Sequence, residues 1–359
     1  MLVRTDRWRW VYLCIVLGTV LSCTSEKKNE IKKSFFPIVP EKGIYLGAYV
    51  DFGEGEAEVT LEAIEKFEEM VHKPQAIIAS GSFWGDQSFP KKNCELIDGY
   101  GAIPLLYWSP WDKPYMQDRG VDRFSLDSIL AGKWDLYIDL WSEGAKSYGK
   151  PLFVAWGLEM NGIWFPWSGQ FYGSGKVIGP QQWKGPETFK KCYRYVVDRV
   201  RKNGVKNIQW VYHTMNYPYP DEEWNQMEAY YPGSDYVDWL GLSVYGKQFK
   251  GDTWKSFRDL AEYPYQRICQ IDLTKPVMLA EWGVGEYPES GNKGVFIREA
   301  FECMKQLPRL KAAVFWHERW ENSDGSFSNL RVNSSAESLE AFQKGIVDPH
   351  YLGRPKFNP

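Results

Sequence analysis

The chain of 359 residues is poor in the residues that usually mark a site on sight. It has four histidines and six cysteines. Past Cys14 and Cys23, the thiols of Cys94, Cys192, Cys269 and Cys303 lie far apart, with no CxxC and no Cys/His cluster. Neither a zinc site nor a disulfide framework is indicated by that spacing. Three of those four cysteines fall in helix-like patterns, where a buried free thiol is expected. A basic excess is also missing: 43 Lys and Arg stand against 46 Asp and Glu, a formal net charge of −3. The electrostatic footprint of a nucleic-acid binder is therefore absent. No glycine-rich phosphate turn follows the first apolar run, which argues against a dinucleotide fold. No interior linker, low-complexity stretch or short repeat divides the chain.

Aromatic residues, by contrast, are abundant. The sequence holds 18 Trp, 22 Tyr and 19 Phe, 16% of its residues. A core absorbs many of these, but Trp and Tyr also suit surfaces that are apolar on one side and wet on the other. Sugar rings, with an apolar C–H face and a rim of hydroxyls, match such surfaces.

The first residues read as an address. Arg4, Arg7 and Arg9 precede the apolar stretch VYLCIVLGTVLS, which is too short to favour a spanning helix. It ends in VLSC, which resembles a bacterial lipobox and implies cleavage before Cys23 with lipid attached to its sulfur. Residues 1–22 are thus expected to be a signal peptide and 23–40 a polar tether. A membrane-anchored exported lipoprotein is the expectation, facing the periplasm or displayed at the cell surface.

From Gly43 onward, eight apolar runs recur: GIYLGAYVDF, QAIIASGSFW, AIPLLYWSPW, PLFVAWGLEM, NIQWVYHTMNY, DYVDWLGLSVYG, KPVMLAEWGVGE and LKAAVFWHERW. They are continuously apolar, as parallel strands covered by helices are. Helical patterns lie between several of them, among them TLEAIEKFEEMVHK, LDSILAGKWDLYIDLWSEGAKSYG and GPETFKKCYRYVVDRVRKNG. Eight alternations predict an α/β fold, a single (β/α)8 TIM barrel over residues 41–355.

Chemistry in such barrels sits at the C-terminal ends of the strands. Those ends carry Tyr49 and Asp51, Phe83 and Trp84, Trp108 and Trp111, then Glu159, Asn161 and Trp164. Further on come His213 and Asn216, Tyr245, Glu281 and Trp282, and finally Trp316, His317, Glu318 and Trp320. Packing alone does not call for aromatic and hydrogen-bonding groups at nearly every end, so a polyol-binding groove is expected. Two carboxylates stand out: Glu159 in VAWGLEMNG and Glu281 in VMLAEWGVG, at the ends of strands facing each other across the mouth. Two carboxyls straddling one bond are what glycoside hydrolysis requires, one protonated and one ionised. Apolar walls favour the neutral form of the acid, and mutual repulsion splits the pair. Tyr245 reads equally as a hydrogen-bond donor to Glu281 or as rim packing. His213 reads first as a structural rim histidine. His317 and Glu318 read as a stabilising pair at least as well as a catalytic one.

At these residues the sequence resembles glycoside hydrolase family 26. LEMNGIWFPW is similar to the family's acid/base signature, PVMLAEWGVG to its nucleophile segment, and YYPGSDYVDWLGLSVYG to its sixth-strand region. The resemblance runs from Gly43 to about Tyr351. It implies retaining double displacement with Glu159 as acid/base, Glu281 as nucleophile and Tyr245 orienting it. The aromatics Trp84, Trp108, Trp164, Trp282 and Trp316, with Asn161 and His213, are the expected substrate-binding residues. Neither metal nor organic cofactor is implied. The expected partner is a polysaccharide, and a monomer is expected.

One position departs from the pattern. The family usually carries a histidine directly before the acid/base, and here that residue is Leu158. An unusual substrate, another residue such as Asn161 or His213 in its place, or lost activity would each account for it. Endo-cleavage of β-1,4-mannan is the first expectation, with mixed-linkage β-glucan or β-1,3-xylan as alternatives. The rival from another class is a non-catalytic glycan-binding lipoprotein on a degenerate barrel; the retention of both carboxylates speaks against it.

Overall fold

The computed structural model of the chain describes residues 35–53, 55–112 and 123–357. The signal peptide, Cys23 and most of the expected tether lie outside the described residues. Eight parallel strands form a closed barrel: β1 (Ile44–Tyr49), β2 (Ile77–Phe83), β3 (Ile103–Ser109), β4 (Leu152–Trp156), β5 (Ile208–Met215), β6 (Trp239–Tyr245), β7 (Val277–Gly283) and β8 (Leu310–Trp316). Each pairs with its sequence neighbour, and β8 returns to β1 with Tyr49 opposite Trp316. Closure leaves the barrel itself no free edge. The strand residues are almost all buried, which explains the continuously apolar runs. One face fills the barrel and the other meets the helices.

The surrounding helices are α1 (Leu61–Val71), α2 (Lys91–Tyr100), α3 (Leu126–Leu130), α4 (Asp135–Tyr148), α5 (Lys184–Lys202), α6 (Phe257–Ile271), α7 (Lys293–Met304) and α8 (Ala336–Val347). Several begin at side-chain caps that satisfy otherwise orphaned N–H groups. Thr60 accepts from Ala63 N, Ser256 from Asp259 N and Asn292 from Val295 N. The stretch 126–149, which reads as one helix, is two: Gly132, at φ +74°, breaks it in a left-handed turn. Helix α2 carries only Cys94 and Ile97 as buried residues, too sparse a stripe to show as a period.

Two features of the fold position the site. The register of β7 slips by one residue against both neighbours. Leu242 faces Leu279 but Ser243 faces Glu281, and Ala313 faces Leu279 but Phe315 faces Trp282. An extra residue on one strand is a β-bulge, which re-aims the side chains beyond it. The Ala280 carbonyl at this bulge accepts from the Tyr107 hydroxyl of β3 at 2.8 Å. At the opposite end of the barrel, the floor, the segment 35–40 enters β1. Ile38 N donates to Lys356 O at 2.8 Å, and the Tyr45 hydroxyl donates to Ile38 O at 2.9 Å.

Candidate active site

Directly after β4 the chain turns on two residues with left-handed backbone, Gly157 at φ +59° and Glu159 at φ +50°. A non-glycine residue there is strained, and it persists only where the surroundings hold it. Here Glu159 N donates to His213 O of β5 at 2.8 Å, tying the turn to the next strand. The turn aims the Glu159 carboxyl back over the barrel mouth.

Across that mouth lies Glu281. Both carboxylates are 6% exposed. Oxygens of Glu159 and Glu281 and a ring nitrogen of His213 all lie within 4.8 Å of one another. Each carboxyl has a neutral donor. Trp164 Nε1 donates to Glu159 Oε2 at 2.7 Å, and the Tyr245 hydroxyl donates to Glu281 Oε2 at 2.7 Å. Burial lifts Glu159 above the usual carboxylate range, and hydrogen bonds from Ser243 and Trp164 hold it back. Glu281 is lifted further, by burial and then by the charge of Glu159, against the Tyr245 hydrogen bond. Two carboxyls this close cannot both ionise at neutral pH, so the pair titrates as a unit and keeps one proton.

Around the pair, Tyr107, Ser243, Tyr49 and Trp316 complete an inward-facing cluster. His213 Nε2 lies 2.7 Å from Ser243 Oγ, and burial holds the imidazole down to about 3, so the ring is neutral. Trp316 stacks on Tyr49 with centroids 4.1 Å apart, and its Nε1 donates to Glu318 Oε2 at 2.7 Å. Burial pushes the Glu318 carboxyl up to about 7. His317 points elsewhere, accepting from Val332 N at Nδ1 and packing on Phe67. It forms no pair with Glu318.

Of the expected substrate contacts, Trp164 and Trp316 stand at the carboxyl cluster, and the others require correction. Trp84, Trp108 and Trp282 are at most 1% exposed and lie outside the barrel wall, against helices. Trp108 stacks on Trp141 of α4 at 3.8 Å, and its N–H donates to Tyr137. Trp84 packs on Tyr137 and Phe124. Trp282 meets Phe257, Phe301 and Phe342, from α6, α7 and α8. Strand alternation is the reason: if Glu281 faces inward, Trp282 must face outward. Asn161 is fully buried, with Oδ1 accepting from Met215 N and Nδ2 donating to Met215 O. It clamps the turn after β4 to the end of β5 and, fully buried, is out of a sugar's reach. His213 belongs to the cluster, but at 1% exposure it faces the carboxyls and is sealed from the cleft.

The sequence reading missed Tyr107 and Ser243, and it placed Tyr49 at a strand end without giving it a role. The same period of two would have found Ser243, two residues before Tyr245 on the inward face of β6. Among the described residues, Glu159, His213 and Glu281 are the one set of donors close enough to hold a cation. Each already has a partner in Trp164, Ser243 or Tyr245, so the set reads as proton-transfer machinery. Leu158 is 5% exposed and apolar, and its carbonyl accepts from Trp167 Nε1.

Comparison with known proteins agrees with this architecture. Residues 141–275 match the sequence model of glycosyl hydrolase family 26. The chain is 28% identical over 311 residues to endoglucanase H of Acetivibrio thermocellus, covering 85% of this chain and 30% of that protein. It is 30% identical over 244 residues to a mannan endo-1,4-β-mannosidase of Bacillus subtilis, covering 66% of this chain and 58% of that one. The chain thus spans about a third to somewhat over half the length of these two relatives. A modular endo-β-1,4-mannanase from Cellulomonas fimi superposes with a TM-score of 0.60 at 18% identity, over 86% of this chain and 72% of that one. At that identity the likeness concerns the fold.

Proposed function

We propose that the chain is a member of glycosyl hydrolase family 26 and a retaining glycoside hydrolase that cuts a β-linked polysaccharide within its length. The observation that carries the reading is the pair of buried carboxyls whose oxygens approach within 4.8 Å at the barrel mouth. Retaining enzymes need a separation of roughly 5–5.5 Å between carboxyls, whereas inverting enzymes leave room for a water at about 6.5–9.5 Å.

The free pair shares one proton, and substrate decides where it sits. Positive charge developing at the anomeric carbon favours the ionised form of the nearer carboxyl, Glu281, with Tyr245 donating to it. The proton then resides on Glu159, facing the glycosidic oxygen. Glu281 attacks the anomeric carbon as Glu159 protonates the leaving oxygen, and the leaving sugar departs with that proton. Glu159, now ionised, takes a proton from water, whose oxygen displaces Glu281 and restores both carboxyls. Trp316, on its Tyr49 stack, and Trp164 offer faces for the sugar ring at the cut.

Two substrates have support. β-1,4-Mannan agrees with the name of the Bacillus relative, and β-glucan with that of endoglucanase H, whose alignment spans more of this chain. Leu158 removes a polar contact next to the acid/base, where discrimination between sugars at the 2-hydroxyl would fall. Digestion of mannan, galactomannan, lichenan and β-1,3-xylan, with products sized and their first-formed anomer read by NMR, tests the proposal. Internal cleavage giving the β-anomer, abolished in Glu159→Ala and Glu281→Ala, is expected. Products of inverted anomer, or none with firm retention on one polysaccharide, would replace it with another mechanism or with a binding protein. We further propose that the mature protein is anchored through lipid on Cys23. Cys23→Ala should then move the protein from the membrane to the soluble fraction.

A further inference from the structure

Ser243 has no part in the steps above, yet it is fully buried among the groups that do. Its Oγ lies 2.7 Å from His213 Nε2, a ring nitrogen of His213 lies within 4.8 Å of a Glu159 oxygen, and Ser243, like Trp164, holds the Glu159 carboxyl down against burial. A serine hydroxyl has a single proton to give. If that proton goes to Glu159, Ser243 Oγ must accept from His213 Nε2–H, and the neutral ring is left with a bare lone pair at Nδ1. His213 Nδ1 is indeed buried without a partner among the described residues. An orphaned lone pair is tolerated better than an orphaned N–H, which the opposite tautomer would place there. The backbone points the same way, since His213 O holds Glu159 N and Met215, two residues on, lies opposite Ser243 in the ladder.

We propose that Ser243 and His213 form a one-way hydrogen-bond relay, from His213 Nε2–H to Ser243 Oγ and from Ser243 O–H to Glu159, that positions the acid/base carboxyl. The proposal rests on the hydrolase reading above and makes Ser243 a positioning residue. The relay compensates for a local loss of polarity. With Leu158 beside the acid/base, polar support for Glu159 reaches it from β5 and β6 through the barrel interior.

The relay has a readout that simple packing lacks. Donors aimed at a carboxyl favour its ionised form, so Ser243 opposes the upward push of burial on Glu159. The groups facing Glu159 are Glu281 from β7, Tyr245 from β6, Tyr107 from β3 and His213 from β5. Burial keeps both tyrosines protonated and the imidazole neutral through the working range, so the groups that titrate there are the carboxyl pair and Glu318, whose charge acts on Glu281 and is common to parent and variants.

The test is the pH profile of kcat/KM for the full chain and its variants on the best substrate of the panel. In Ser243→Ala, loss of the donor should move the alkaline limb up by about one pH unit, the scale of one hydrogen bond to a charged group. Ser243→Thr should restore the limb, and His213→Phe should shift it in the same direction by less. Should Ser243→Ala not fold, Ser243→Cys, of similar size and a weak donor, carries the same expectation. A Ser243→Ala or Ser243→Cys profile that superimposes on the parent, whatever happens to kcat, would overturn the relay. The hydrolase reading fails separately, through a Glu159→Ala variant that hydrolyses as fast as the parent.

Discussion

Neighbouring residues on the same strands meet opposite fates. Tyr107, His213, Glu281 and Trp316 face into the barrel, while Trp108, Tyr212, Trp282 and Phe315, one position away, are pressed between barrel and helices. The two populations use the same chemistry differently. The indole N–H groups of Trp84, Trp156, Trp239 and Trp282 are buried without partners among the described residues. Those of Trp164 and Trp316 are bonded to Glu159 and Glu318. Apart from Trp108, whose N–H reaches Tyr137, the outer belt therefore uses tryptophan for its volume, and the mouth uses it for its one polar bond. Aromatic richness in this chain is mostly mortar, and only its inward fraction is candidate binding surface.

Substitution can break that division directly. Glu281→Ala should show the largest effect, a loss of about 10^4-fold or more in kcat. Its melting temperature should hold or rise, because a buried carboxyl that burial and Glu159 both hold away from its ionised form is gone. Kinetics beside a thermal scan check both halves, and a clear destabilisation would mean the pair is structural. Its neighbour should do the reverse. Trp282→Ala should cost about 3–5 kcal/mol of stability, as large-to-small core changes do, with kcat per folded molecule unchanged. Trp282→Phe, which loses no hydrogen bond, should cost much less; denaturant unfolding of both variants separates volume from bonding. Tyr245→Phe is expected to lower kcat by about 10- to 100-fold. It should also move the acid limb upward, since removing a donor raises the pKa of Glu281, whereas Ser243→Ala moves the alkaline limb. The smallest effect concerns Glu318. Its folded pKa of about 7 is raised, so its contribution to stability is complete below the unfolded value and is lost as pH rises through about 7. Glu318→Gln should remove that decline, narrowing the difference in melting temperature between pH 5 and pH 8 by about 2–4 °C.

The barrel was readable because eight apolar runs, bounded by turn residues, leave few other folds, and every one became a strand. Local detail was less legible where the signal is thin. Helix α2 buries two side chains, and Gly132 splits a stretch whose apolar period continues past it. The carboxyls were legible because charge in an apolar run is conspicuous. The tryptophans were misplaced because composition gives no phase; once Glu281 is set inward, the phase of β7 follows and Trp282 goes outward. Asn161 could not be placed from sequence, since its partner, the main chain of Met215, is 54 residues away. Tyr107 escaped for the same reason, as it supports Glu281 only through the bulge at Ala280.

That segment 35–40 joins the barrel at its floor has a mechanical consequence. Strands of five to eight residues put the cleft about 20 Å above the point where the chain enters. Anything fastened ahead of Phe35 therefore pulls on the face turned away from the cleft. Attached there, the barrel stands like a cup on its base, with its opening free to meet polymer chains far longer than itself.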